Sequence, residues 1–321
     1  MQAVRVHDGN ELRHETVPDP QPGTGQALVE LRAAGLNRRD LLVRTGVYPF
    51  PLPLVPGSDG AGVRRDTGEE VVVFPGLDWG DREDAPGPGF GILGGPRDGT
   101  YAELVALPVE NLFPKPTGLS WVEAAAFPLA AVTAFRGLFT RGGLRSGETV
   151  LVLGAGSGVS TFAVSLAVQA GARVLVTSSS DEKIERAQAL GAHGGVNYAS
   201  TPDWAPAVEE LGPVDLVFDS VGSTWQQSLD AVRPGGRVVV FGATGGTEST
   251  LQVRPFYFRQ QSLYGTQLGS PRDFEGLLRM LGEATWKPVL DSVRPLAEAE
   301  AALARLESGE HFGKLVLEIS G

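Results

Sequence analysis

The stretch LVLGAGSGVSTFAV, residues 151–164, most narrows what this chain can fold into. An apolar strand runs into a turn made of Gly154, Gly156, Ser157 and Gly158, and an apolar helical segment follows from Val159. Glycines at such a turn let the backbone bend tightly and come close to a diphosphate, while the helix start offers free N–H groups and the positive end of its dipole. Ser160 stands where the pattern G-x-G-x-x-G expects its third glycine. A small residue there still lets strand and helix pack closely, so the motif reads as a variant dinucleotide-binding turn.

The sequence around this turn agrees. Apolar strand runs at 149–154, 172–178, 214–220 and 236–243 alternate with helical segments at 159–170, 181–190 and 225–232. Short apolar strands separated by helices predict βαβ units and a parallel sheet covered on both faces, with right-handed crossovers. Before this region the character differs. AVRV (3–6), ALVELRAAG (27–35), EEVVVF (69–74) and AELVALP (102–108) alternate and are punctuated by Pro and Gly, which predicts an antiparallel, barrel-like β unit. Residues 76–99, rich in Gly and Pro, predict an irregular surface lobe. Near the end, strands at 261–269 and 313–319 flank helices at 272–282 and 297–307. The Pro/Gly linker FPKPTGLS (113–120) and the return near 270 divide the chain. The expected fold class is α/β: a doubly wound Rossmann domain over 121–269, and a β-rich domain built from 1–120 and 270–321.

Composition removes several alternatives. At 321 residues, with 42% hydrophobic and 20% charged residues, the chain suits a globular protein of two domains. A net charge of −11 without basic clusters argues against nucleic acid as a partner. No apolar stretch approaches bilayer length, so no membrane partner is expected and the cytoplasm is the default location. The absence of Cys excludes disulfides, thiolate catalysis and Cys-based zinc sites, and the four His show no metal-ligand spacing, so no metal site is expected.

The second strand bears on the cofactor. An NAD site usually ends this strand with Asp or Glu, which binds the ribose hydroxyls. Here the end reads Val176-Thr177-Ser178-Ser179-Ser180. Hydroxyls without a carboxylate suit a 2′-phosphate, with Lys183 one turn into the next helix as counter-charge, so NADPH is expected over NADH. The alternative is that Ser178–Ser180 merely cap the helix and Lys183 is solvated.

Several motifs together carry a resemblance to a known family. They are AAGLNRRDLLVRTGVY (33–48), PLVPGSDGAG (53–62), DGTYAELVALP (98–108), LSWVEAAAFPLAAVTAF (119–135), VLVLGAGSGVS (150–160), LGAHGGVNY (190–198), RPGGRVVVFG (233–242) and FGKLVLE (312–318). With them, essentially the whole chain resembles the medium-chain dehydrogenase/reductase superfamily, in its zinc-free quinone oxidoreductase (zeta-crystallin-like) branch. The β-rich domain would then be GroES-like. Zinc-dependent alcohol dehydrogenases of this superfamily place a Cys ligand where Asn37 stands and read Gly-His-Glu where Gly57-Ser58-Asp59 stands. The resemblance implies that Asn37 and Tyr48 line the nicotinamide and substrate cleft, Asn37 contacting the nicotinamide ribose or a substrate oxygen and Tyr48 donating a hydrogen bond or proton. The branch's second Tyr is replaced by Leu42. Asp40 is compared with an acid that pairs with a basic residue of the last strand, here Lys314, which is counted on the cofactor side. Arg38, Arg39 and Arg44 are expected to be solvated or near phosphate. On the cofactor side the resemblance implies Thr133, and Tyr198 beside Ser178 and Lys183. Phe241 and Gly242 end a strand at the sheet's carboxyl edge, where ligands bind in such folds, and with Tyr264 are expected beside the nicotinamide, core packing being the alternative for Phe241 and Tyr264.

The expected activity is zinc-independent hydride transfer from NADPH to a quinone or α,β-unsaturated carbonyl. An enoyl-thioester reductase, or a catalytically faded NADPH-binding protein like lens crystallins, are the alternatives. The strand leading to Tyr264 would be the edge of the sheet. An exposed edge is a liability, and the superfamily pairs such strands, so a homodimer is expected.

Overall fold

The computed structural model describes residues 1–282 and 286–319. The chain divides into two compact units, Met1–Val132 with Gly269–Gly321, and Thr133–Leu268.

The first unit opens with a hairpin, β1 (Gln2–Val6) and β2 (Leu12–Thr16). The ten-residue β3 (Gln26–Gly35) alternates along its length, so Ala27, Val29 and Leu31 turn into the core. Then comes a helix, α1 (Arg38–Arg44). The antiparallel set continues with β4 (Asp59–Arg64) and β5 (Glu70–Val73). Inside the Gly/Pro-rich lobe, β6 (Gly76–Leu77) and β7 (Gly91–Ile92) make a minimal ladder. Strands β8 (Leu104–Pro108) and β9 (Leu112–Pro114) return the chain to the sheet. The short α2 (Trp121–Ala126) is capped by Ser120, whose Oγ accepts from the Glu123 N–H. It packs on β3 and β4, which places the division after Val132, within α3 (Pro128–Phe135), rather than at the Pro/Gly linker.

The second unit is a six-stranded, wholly parallel sheet. Its elements are β10 (Thr149–Val152), α4 (Gly158–Gln169), β11 (Arg173–Ser178), α5 (Asp181–Ala189), β12 (Gly194–Asn197), α6 (Trp204–Glu210), β13 (Val214–Asp219), α7 (Trp225–Ala231), β14 (Val232–Val240), α8 (Val253–Phe258) and β15 (Ser262–Gly265). The order β12-β11-β10-β13-β14-β15 is that of a doubly wound dinucleotide fold, with its switch point between β10 and β13. Pro234-Gly235-Gly236 lies within an irregular β14 whose register shifts against β13.

The chain then returns to the first unit with α9 (Pro271–Gly282), β16 (Leu290–Pro295), α10 (Ala299–Ser308) and β17 (Lys314–Glu318). β17 pairs antiparallel with β3, completing a sheet of order β16-β17-β3-β4-β5-β9 with β8 also on β3. Leu303, Leu306 and Leu317 from this segment share one core with Val29, Leu31 and Tyr101.

Candidate active site

In the first unit, three sequence-distant groups meet beside Gly35. In the sheet register Gly35 faces Val316 of β17 on one side and Asp59 of β4 on the other. Lys314, two residues before Val316, therefore reaches Asp59. Its Nζ donates to Leu36 O (2.6 Å), Asn37 Oδ1 (2.7 Å) and Asp59 Oδ2 (3.2 Å). Asn37 Nδ2 donates to the same Asp59 oxygen at 3.0 Å, and the Leu129 N–H donates to Asp59 Oδ1 at 2.7 Å. Lys314 and Asp59 are 3% and 0% exposed. Burial pushes the Asp59 carboxyl above its ordinary range; Lys314, Asn37 and the Leu129 N–H act in the opposite direction.

The expected Asp40–Lys314 pair is not formed. Asn37 is the N-cap of α1, and Asp40 at the third helical position turns back to accept the Asn37 N–H (2.8 Å) on Oδ2. This belongs to a capping box at the helix start, and the Asn37 side chain also bonds Lys314 and Asp59. Asp40 Oδ2 also accepts from Tyr101 Oη at 2.8 Å, and Oδ1 is buried with no partner among the described residues. Burial pushes the Asp40 carboxyl up, against the pull of Arg39, the Asn37 N–H and Tyr101. Burial and then the Asp40 charge push the Tyr101 phenol well above its usual value. Tyr101 packs over Gly57, whose φ of +95° and closeness to the ring, 2.3 Å from a Cβ built there, explain the glycine.

Arg39 is not solvated. Its Nη1 donates to Ser58 Oγ (2.8 Å) and Leu93 O (2.7 Å), and its Nη2 to Gly95 O (3.3 Å). It therefore ties α1 to the Gly/Pro-rich lobe. Burial lowers its pKa, opposed by Asp40, Tyr48, Asp59 and Tyr101. Tyr48 is exposed, its backbone N–H bonded to Leu42 O. Arg44 lies at the surface and bonds Asn10 O and Glu300.

The second unit carries the glycine turn. Gly154 (φ +75°) and Gly156 (φ +110°) adopt backbone conformations that side chains disfavour, and Ser157 caps α4, its Oγ accepting from the Ser160 N–H. Ser160 is buried and its Oγ bonds Leu153 O, so the hydroxyl is absorbed where a third glycine was expected. Thr177 Oγ1 accepts from the Gly154 N–H and fastens the turn to β11.

At the end of β11, Ser178 is buried and its Oγ accepts from the Ser180 N–H, while the exposed hydroxyl is that of Ser179. Ser180 caps α5 through the Lys183 N–H. The Tyr198 N–H donates to Ser178 O, so this half-exposed Tyr stands beside the strand end. Phe241 stacks on Phe218 with centroids 4.2 Å apart. Gly242 passes so close to the Ser220 carbonyl that a Cβ would lie 2.7 Å from it. Tyr264 lies on edge strand β15 under the Arg141 guanidinium. Thr133 is buried on α3.

Comparison with known proteins identifies the family. Residues 23–117 match the alcohol dehydrogenase GroES-like domain and residues 158–283 match the family described as zinc-binding dehydrogenase. A zinc-type alcohol dehydrogenase-like protein of Schizosaccharomyces pombe is 38% identical over 98% of both chains. The chain belongs to the medium-chain dehydrogenase/reductase superfamily, in its zeta-crystallin-like branch. The solved structure of an NAD-dependent alcohol dehydrogenase superposes with TM-score 0.93 at 40% identity, covering 100% of both chains. The quinone oxidoreductase of Thermus thermophilus, solved also with NADPH, superposes with TM-score 0.81 at 33% identity, covering 99% of this chain and 100% of its own. In this member of the superfamily, the positions compared with zinc ligands are bonded to cations: Asn37 and Asp59 to Lys314, Ser58 to Arg39. This donor set, already joined to an ammonium and a guanidinium, does not fit a zinc ion. Among the described residues no helix is long and apolar enough to cross a membrane.

Proposed function

We propose that this oxidoreductase is an NADPH-dependent reductase of quinones or α,β-unsaturated carbonyls that works without zinc. One observation carries the reading: Lys314 and Arg39 hold the side chains at the compared ligand positions, so positive charge there comes from fixed protein groups. An acceptor that is already electron-poor suits such a site, because its carbonyl needs hydrogen-bond donors rather than a Lewis acid.

The glycine turn and the first N–H groups of α4 would hold the cofactor diphosphate, through Gly154, Gly156, Ser157, Gly158 and Val159. Ser179 and Ser180, with Lys183 and Tyr198, would receive the 2′-phosphate, since β11 ends without a carboxylate that would repel it. Thr133, Phe241, Gly242 and Tyr264 would flank the nicotinamide. When bound, NADPH supplies the hydride. Asn37 Nδ2 would donate to the acceptor oxygen as it gains negative charge, and Tyr48 Oη would deliver the proton that completes the reduction. Arg39 holds the lobe to α1 and so shapes the site.

The test follows loss of NADPH or NADH absorbance with 1,4-benzoquinone, phenanthrenequinone and simple enones, with zinc content measured on the same sample. Turnover with NADPH and substoichiometric zinc is expected. Stoichiometric zinc, or activity on alcohols alone, would overturn the reading.

A further inference from the structure

The Asn37 amide has one permitted orientation. An ammonium only donates, and Lys314 Nζ lies 2.7 Å from one amide atom, which must be Oδ1. Asp59 Oδ2 receives the other at 3.0 Å and accepts from every neighbour it has, so that atom must be Nδ2. A flipped amide would set NH₂ against ammonium and carbonyl against carboxylate.

The count of donors then isolates a single hydrogen. All three Lys314 hydrogens are used, on Leu36 O, Asn37 Oδ1 and Asp59 Oδ2. Of the two Nδ2 hydrogens of Asn37, one goes to Asp59, and the other has no acceptor among the described residues. The Lys314 bond to Oδ1 also draws electron density from the amide, which makes that remaining N–H a stronger donor.

We infer that Lys314 and Asp59 are positioning residues that lock Asn37 so that its second Nδ2–H is the donor offered to the acceptor's carbonyl oxygen. The inference rests on the proposed reductase reading and adds to it the atom that meets the substrate and the pair that fixes it. The Lys314 charge acts through the amide and has no hydrogen left for the substrate.

The substitution Asn37→Asp separates this role from a structural one. It keeps an oxygen for Lys314 but replaces Nδ2, and the new carboxyl beside Asp59 will hold a shared proton as pH falls. Its kcat should fall by about 10²–10³-fold at neutral pH, the effect of losing one oxyanion donor. The loss should persist on acidification, because the proton gained there is held between the two carboxyls and leaves no donor for the acceptor. No loss would overturn the inference. A second readout needs no turnover. In ¹⁵N-labelled native protein with NADP⁺, titration with cyclohexanone should move one Asn37 Nδ2 proton resonance and leave the other. The pair is assigned by its loss in N37D or, if that variant does not fold, from the Asn37 backbone. Both protons moving, or neither, refutes the assignment. If the native protein reduces no quinone or enone, the reductase reading fails while the resonance test still decides the inference. If it does reduce them and N37D is unaffected, the reading stands and the inference fails.

Discussion

Replacing Lys314 by Met should expose how much of the first unit depends on one buried cation. The ammonium is 3% exposed and holds three acceptors, one of them a carboxylate that is fully buried. Met fills much of the same volume, so the main loss is electrostatic: Asp59 keeps the Asn37 and Leu129 donors but loses its counter-charge. Breaking one side of such a buried pair costs about 3–5 kcal/mol. At about 2–4 °C per kcal/mol this lowers the melting temperature by about 6–20 °C. Removing the charge on both sides should recover part of the loss, because the double variant Lys314→Met/Asp59→Asn leaves no unpaired ion. It should be about 1–3 kcal/mol more stable than Lys314→Met alone. Urea unfolding gives the totals, and hydrogen exchange over residues 26–44 and 312–319 shows whether the change centres on β3, α1 and β17. A Lys314→Met cost below about 1 kcal/mol, or a double variant with strictly additive losses, would refute the argument that this pair is a coupled buried ion pair.

Asp40→Asn keeps an acceptor for Tyr101 and the Asn37 N–H but removes a carboxyl that burial pushes up. The folded state holds that proton to higher pH than the unfolded chain, so the group loses stability as pH rises above about 4. Urea midpoints across pH should therefore move in favour of the variant as pH rises, whereas parallel curves would remove the basis for the shift. Ser179→Asp places a carboxylate at the exposed end of β11 and should raise KM for NADPH at least about tenfold, the effect of ~1.4 kcal/mol of like-charge repulsion, while helping NADH. Steady-state kinetics with both cofactors check it. Gly57→Ala brings a Cβ to 2.3 Å from the Tyr101 ring at φ +95° and should cost about 1–3 kcal/mol, read as a lower melting temperature. Edge strand β15 is expected to pair with its copy in a homodimer, so Tyr264→Asp should shift sedimentation from dimer to monomer; an unchanged dimer would rule out that edge.

What was legible in the sequence was local. The strand, glycine turn and helix at 151–164 are consecutive, so their pattern shows the phosphate turn directly, and the alternation after it shows the parallel sheet. Even there, β12 and α6 leave little mark in the sequence, because GGVN carries only one buried apolar residue and α6 is only seven residues long. The helix α1 was hidden for a similar reason: Leu41, Leu42 and Val43 are too few to show a helical period, although Asn37 and Asp40 have the spacing of a cap and its third residue. Ser178 and Ser179 differ only in the direction a strand's alternation gives them, and the pattern did not mark which hydroxyl ends outside.

The partner of Lys314 was beyond reach for a deeper reason. Asp40 and Asp59 are both acids near Asn37, and nothing local separates them. The choice is made by register: Gly35 lies opposite Val316 and opposite Asp59, so two strands bring together residues 255 positions apart. Asp40, one turn into α1, is instead drawn back onto the helix's own start and onto Tyr101. The same register explains Arg39. Its neighbour Ser58 sits just before β4, and the carbonyls of Leu93 and Gly95 arrive from the lobe, so a residue that looks solvated in the sequence becomes the tie among three segments. A site assembled from strand ends therefore shows its residue types in the sequence but not its pairings. Here the pairings set the local electrostatics, because they turn Asn37, Asp59 and Ser58 into the anchors of two fixed cations.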